Sequence, residues 1–326
     1  MTRKKLSIAF QTDKPLATYG ELASQAESYG FDGISVYNDM LYQPAWLPLM
    51  EIARHTSRAE IAVAAVNPFT CHPINIAGNI ALIDEASSGR ARLGLARGGW
   101  LDFVGVHPHQ PVQALREALL CIRHLLSGSK EPLEQDIFPL AGGDSLRWTI
   151  YRPDIPLLLG SWGLKTIARC HDLVDEIKLG GSANPAVVIK YRRELAAMTS
   201  PGMDIVMGAV TVVDEDGAKA RALAKREVAL YLPVVAELDT TLHIDPEVLA
   251  GIKTAAANYD FEAAVRYISD DLLAAFALAG TPTEIIDQTE QLFEAGASRV
   301  EFGTPHGLSG DSGLRLLGEK VLPAFH

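Results

Sequence analysis

Two kinds of apolar run take turns along this chain. Short runs rich in β-branched and small residues occur at 6–10, 33–37, 61–66, 92–96, 155–160, 176–179, 204–213 and 299–303. Runs of this length and make-up read as buried strands. The stretches between them repeat their apolar positions every three or four residues, as at Leu115, Leu119, Ile122 and Leu126. That spacing predicts amphipathic helices over 19–29, 44–55, 75–86, 112–126, 186–197, 216–230, 282–295 and 311–323, and a shorter helix ending at His171. Thr281-Pro282-Thr283-Glu284 supplies a capping pattern at the start of one of them.

Residues 61–100 show how the elements connect. Asn67-Pro68 stops the strand at 61–66, because proline has no N–H for a ladder. A helix follows, Ser88-Gly89 closes it, and 92–96 is the next strand. Strands joined through a helix pair in parallel and are buried on both faces. Eight strands, each followed by helical sequence, predict an α/β fold of the (β/α)8 TIM-barrel type. The alternative is an open doubly wound sheet, but no GxGxxG follows the first strand. No break in composition divides the chain, so 1–326 reads as a single domain. Residues 231–275 read as a helical insertion before the last βα units, and 129–155 as a long loop or small hairpin.

Composition narrows the partners. Hydrophobic residues make up 48% of the chain, ample for a core. Lys and Arg number 29 against 40 Asp and Glu, and a net charge of −11 argues against nucleic acid as partner. Cys71, Cys121 and Cys170 lack CxxC spacing, which fits a reducing cytoplasm rather than disulfides or zinc. The N-terminal apolar run is too short for a signal peptide, and no run approaches a membrane span. No metal-ligand spacing and no GxSxG are present. A small-molecule substrate is what remains.

In a barrel the chemistry sits just past the strand C-termini. Gly160-Ser161-Trp162-Gly163 enters a helix, and Gly180-Gly181-Ser182 is a second glycine-rich turn after the next strand. Free amides and close backbone approach suit both loops to a phosphate. Asn38-Asp39 and Arg97 are polar residues at early strand ends, each equally readable as rim salt bridges. His306, between Pro305 and Gly307 on the last loop, is a candidate substrate contact; His72, beside Pro73, reads better as structural. Trp100, Trp162, Tyr37 and Phe69 are aromatics able to wall a flat ring or to fill the core.

Several strings carry a family resemblance: Asn67-Pro68-Phe69-Thr70 with His72-Pro73, the run from Leu82 through Ser87-Ser88-Gly89-Arg90-Ala91 to Leu93-Gly94-Leu95, Ile155-Pro156-Leu157 leading to Gly160, and Gly280-Thr281-Pro282. Over nearly its whole length the chain resembles the luciferase-like flavin and deazaflavin oxidoreductases, and within them the methylenetetrahydromethanopterin reductase branch, which uses coenzyme F420. The resemblance implies a hydride-transferring cofactor across the strand C-termini, F420 with FMN as the alternative. It also implies a bulge with a non-prolyl cis peptide at Ala64-Ala65, pressed against the cofactor's central ring. The cofactor contacts so expected are Phe10, Ala64, Ala65, Asn67, Gly98, the Gly160–Gly163 loop (with Ser161 and Trp162), and Gly180, Gly181 and Ser182.

Asp39 and Asn38 are the expected catalytic residues, Asp39 as a proton relay or polar contact beside the ring with Asn67 to orient it, and Trp100 and His306 are expected at the substrate. The methanopterin reductases carry an acidic residue after the fourth strand, where this chain has Gly98-Gly99-Trp100. Their Asp-His after the second strand becomes Asn38-Asp39. The expected activity is an F420-dependent oxidoreductase, in a homodimer or higher homo-oligomer. An FMN-dependent monooxygenase and a non-catalytic flavin-binding relative are the alternatives.

Overall fold

A computed structural model describes residues 4–198 and 202–325. Along the chain it forms β1 (Lys5–Phe10), α1 (Thr18–Tyr29), β2 (Gly33–Val36), α2 (Trp46–His55), β3 (Glu60–Val66), α3 (Pro73–Ala86), β4 (Ala91–Ala96) and α4 (Pro111–Leu126). There follow β5 (Leu157–Gly160), α5 (Leu164–Cys170), β6 (Glu176–Gly180), α6 (Pro185–Ala197), β7 (Asp204–Val213) and α7 (Gly217–Val228). Four short helices come next: α8 (Leu232–Leu238), α9 (Pro246–Ala257), α10 (Phe261–Val265) and α11 (Asp270–Ala274). The chain closes with β8 (Ala277–Gly280), α12 (Pro282–Glu294), β9 (Arg299–Gly307) and α13 (Gly310–Leu316).

The strand order is β6-β5-β4-β3-β2-β1-β9-β7-β8, with β6 also paired to β7. This is the order of a (β/α)8 barrel with one additional strand. The eight predicted strands are all present. The additional one, β8, hides in the sequence Ala277-Leu278-Ala279-Gly280, which has no β-branched residue and reads as the tail of a helix. β9 runs past its predicted end at Gly303, through a cis Thr304-Pro305 bond to Gly307. Its tail still pairs with β7, at Val212↔His306 and Val213↔Gly307, after a register shift. Proline in a run argues against strand, which is why the extension is not legible.

The residues gather into two compact units. One comprises Met1–Ala9, Tyr29–Phe31 and Lys178–His326. In it, β9 pairs in parallel with β1 and with β7, and β8 adds to the end of β7. Lys178 and Glu301 form a buried ion pair. Gly208 makes room for it, since a Cβ there would lie 2.9 Å from Lys178 Cε. The predicted insertion is α8 to α11.

The other unit comprises Phe10–Ser28 and Asp32–Ile177. Here β2, β3, β4 and β5 pair successively in parallel. Two side chains fix the start of β3. Glu27, near the end of α1, accepts from the amides of Ser57, Arg58 and Ala59 at 2.6 to 3.0 Å. Arg90 donates to the carbonyls of Ala53, Thr56 and Ala59 at 2.7 to 3.2 Å. Ser88 and Gly89 both take positive φ, the turn that swings Arg90 back beneath β3. The 129–155 stretch is irregular apart from one antiparallel bridge, Leu133↔Leu140.

Burial alone would raise the Glu27 pKa, but the amides of Ala59, Arg58 and Ser57 and the Ser57 hydroxyl overcome it and hold the carboxyl at about 2, against 4.5 unperturbed. A depressed carboxylate pKa stabilises the fold above the unfolded value and loses that contribution as pH falls through the folded one. Glu27→Gln is therefore expected to be less stable than wild type near neutrality. In urea titrations the gap should close as pH drops from 4.5 toward about 2.

Candidate active site

β3 carries one residue too many for its neighbour. Val63 pairs with Leu93 and Val66 with Leu95, so the Ala64-Ala65 step is a bulge on β3 opposite Gly94. The Ala64-Ala65 peptide is cis, at the position the family resemblance implies. Gly94 is required there: a Cβ on it would sit 2.6 Å from the Val63 carbonyl oxygen and 3.3 Å from Ala64 Cα. On the next strand, a Cβ on Gly160 would meet Ala96 Cβ at 3.3 Å and Ala65 Cβ at 3.9 Å. Ala64, Ala65, Ala96 and Gly160 thus carry a methyl group or less at three adjacent strand ends, and the Leu158 side chain stands 3.2 Å from the Gly94 Cβ position.

Asn67 ends the bulged strand. Its buried Oδ1 accepts from the amides of Phe69 and Thr70 and the Thr70 hydroxyl at 3.0, 2.9 and 3.1 Å. The acceptor is fully used by the loop, so Asn67 orients backbone with Oδ1 and has only its amide nitrogen to offer a ligand. Gly98, at φ +83°, lies over that nitrogen, with its Cβ position 3.0 Å away.

Across the end of β2, Gln11 Nε2 donates to Asp39 Oδ2 at 2.9 Å, and Gln11 Oε1 accepts from the Thr12 amide. Asp39 is exposed. Asn38, expected with Asp39 as catalytic, accepts through Oδ1 from the Ala45 amide at 3.1 Å and shapes the entry to α2. Phe10, expected at the cofactor, is 1% exposed.

Trp100 stands open at 62% exposure, in a left-handed turn after β4. His72 caps α3, accepting from the Ile74 amide through Nδ1 at 3.2 Å. Ser161 Oγ accepts from the Gly163 amide at 3.1 Å, and Thr166 Oγ1 lies 3.2 Å from the Gly163 Cβ position. The loop after β5 is therefore a small hydroxyl-lined turn ahead of a seven-residue helix.

In the other unit, three of the expected residues are covered by neighbouring groups. Ser182 is fully buried, with its hydroxyl bonded to the Ala275 carbonyl and the Asn184 amide. Gly181, at φ +80°, faces Val235 and Tyr231 of the insertion, its Cβ position 2.9 and 3.6 Å from them. An apolar cover excludes phosphate from that side of Gly181, while Gly180 has no neighbour within 4 Å of its Cβ position. His306 is 4% exposed and donates from Nε2 to the Ala9 carbonyl at 3.0 Å, so it ties β9 to β1 instead of meeting substrate.

Gly94 and Tyr231 are the residues that sequence reasoning passed over. Gly94 had a signal: a glycine inside a strand pattern marks a bulge or a close backbone approach. Among the described residues no group of three or more His, Cys, Asp or Glu is placed to hold a metal ion. Nor is any described helix long and apolar enough to cross a membrane.

The model of the luciferase-like monooxygenase family matches residues 3–299. The chain belongs to this family. It is 25% identical to the 5,10-methylenetetrahydromethanopterin reductase of Methanolobus tindarius, over 97% of this chain and 98% of that protein. Among solved structures it is similar to the coenzyme F420 dependent tetrahydromethanopterin reductase from Methanopyrus kandleri, with a TM-score of 0.90, 24% identity, and coverage of 99% and 100%. An F420-dependent secondary alcohol dehydrogenase gives a TM-score of 0.78 at 18% identity, with 99% of each chain covered.

Gly94→Ala is expected to destabilise by about 1–3 kcal/mol in chemical unfolding, because the atom it meets is backbone and has no rotamer to change. Asn67→Ala should cost about 1–3 kcal/mol by leaving two amides and a hydroxyl without their acceptor, whereas Asn67→Asp, which keeps an acceptor, should lose less in the same titration.

Proposed function

We propose that the chain is an F420-dependent oxidoreductase that moves a hydride between the deazaflavin and a small organic substrate, like the methylenetetrahydromethanopterin reductases it resembles. One observation carries the reading: the Ala64-Ala65 bulge, with Gly94, Ala96 and Gly160 beside it, leaves small residues at the ends of β3, β4 and β5. A flat tricyclic ring is the cofactor shape that such strand ends accommodate, and the residues present fit it. When bound, a deazaflavin supplies or accepts two electrons as a hydride at its central ring and reacts poorly with oxygen.

The chain's own residues position and protonate. The Ala64-Ala65 backbone supports the ring from one side. The loop from Gly160 to Gly163, with Ser161, Trp162 and Thr166, would hold the cofactor's acidic tail, and Gly98 with the Asn67 amide nitrogen would hold its ring. Asp39 is the proton carrier: Gln11 holds its Oδ2, leaving Oδ1 to take or give a proton at the substrate. Trp100 covers the substrate side.

Titration of the apoprotein with F420 and with FMN, in separate experiments followed by fluorescence, tests the cofactor. F420 is expected to bind more tightly by roughly tenfold or more, a difference of ~1.4 kcal/mol or greater. Asp39→Asn should bind F420 as wild type does, since its carboxylate addresses substrate. Tighter FMN binding, with oxygen consumed in the presence of NADPH, would instead make the protein a monooxygenase.

A further inference from the structure

We propose that the substrate of this chain is an apolar molecule without net charge, taken up by Leu41 and Tyr42 on the loop after β2 and by Trp100, Phe103 and Val104 on the loop after β4. The inference rests on the hydride-transfer reading, which it extends from cofactor to substrate. β2, β3 and β4 run parallel as neighbours. The loops at 37–45 and 97–110 therefore leave the same edge of the sheet, on either side of the Ala64-Ala65 bulge. In the order named, the five side chains are 83%, 49%, 62%, 71% and 45% exposed. Single exposed apolar residues are ordinary, but a group of them on two loops flanking one strand end marks a place where something binds.

Both loops present these side chains on turns closed by backbone hydrogen bonds. After β2, the Tyr42 amide donates to the Asp39 carbonyl at 3.3 Å and the Gln43 amide to the Thr12 carbonyl at 2.9 Å. After β4, buried Leu101 anchors the turn. There the amides of Phe103, Gly105 and Val106 donate to the carbonyls of Trp100, Asp102 and Leu101, each at 3.0 Å. Leu41 and Trp100 take φ of +69° and +53°. A large side chain adopts that left-handed backbone at a cost, and glycine without one. The chain nonetheless carries leucine and tryptophan at these two positions and leaves both open to solvent. Backbone strain of this kind is characteristic of ligand sites.

Charge selects the occupant. Asp39 is held by Gln11, and Asp102 pairs with His107 at 2.9 Å. Arg97, exposed past the end of β4, is the remaining full charge on the two loops. An anionic substrate would therefore rely on Arg97 alone, beside two carboxylates of its own sign. It would also give up the hydration of its charge among apolar side chains. An uncharged apolar molecule loses nothing there and gains in proportion to the area it covers.

Isothermal titration calorimetry on the full chain, with and without F420, tests this with acetophenone and para-acetylbenzoate, which differ only by a carboxylate. Acetophenone is expected to bind more tightly by about tenfold or more. Leu41→Ser and Phe103→Ser should each weaken it by roughly threefold or more, while their circular dichroism and F420 titration match wild type. Arg97→Ala should leave acetophenone binding unchanged. The proposal is overturned by equal or tighter binding of para-acetylbenzoate, by no binding of acetophenone up to its solubility, or by binding that both serine variants leave intact. A fall in mass by light scattering in the two serine variants would also overturn it, by assigning the surface to a second copy of the chain. Failure of F420 to bind, with the preference for acetophenone intact, would defeat the hydride-transfer reading and leave the apolar recognition standing.

Discussion

Backbone in β3 approaches backbone in β4 more closely than any side chain would permit. The Val63 carbonyl oxygen occupies the space where a residue at 94 would carry its Cβ. A strand with an extra residue must bow toward its neighbour, and it does so only where that neighbour is glycine. The same economy continues to β5, where Gly160 keeps the space beside Ala65 and Ala96 free. Everything proposed for the site depends on this clearance, because a flat ring needs a floor and not a row of side chains.

The bulge is clamped at both ends by polar groups that do no chemistry. Before it, Glu27 and Arg90 satisfy the amides and carbonyls of the turn that feeds β3. After it, Asn67 closes the loop to Phe69 and Thr70. Asp84 adds a third fixture by accepting from the Ala91 amide at the start of β4. The Ser88-Gly89-Arg90-Ala91 string, the strongest mark of family in the sequence, is thus a joint between α3 and the sheet. It identifies the fold because it builds the fold. Residues that would meet substrate, such as Asp39 and Trp100, lie on loops outside it, which is how one scaffold accepts different substrates.

The glycine-rich turn after β6 teaches a different lesson. Glycine permits close approach by whatever is nearest, and at Gly181 that is the insertion helix carrying Tyr231 and Val235. Burial, with the Glu227 carboxylate nearby, pushes the Tyr231 phenol above its ordinary pKa. A neutral, apolar cover of this kind closes one side of the turn that backbone geometry alone would have offered to an anion.

The barrel itself was legible in the sequence, because strand and helix periods differ and both are local properties of side-chain order. The 204–213 strand is found at its predicted bounds, and the bulge position followed from the resemblance anchored on Asn67-Pro68. β8 was not legible, since Ala277 to Gly280 are helix-compatible residues made into strand by the edge of β7. Nor did residue type tell which polar groups are spent on structure. Asn38, Asn67, Ser182 and His306 all have the chemistry of site residues, and each is claimed by a backbone group brought to it by folding. Whether a hydroxyl, amide or imidazole can reach a ligand depends on which partners lie within about 3 Å of it. For Asn38 and Asn67 that is decided by the path of their own loops, for His306 by distant Ala9, and no periodicity encodes either.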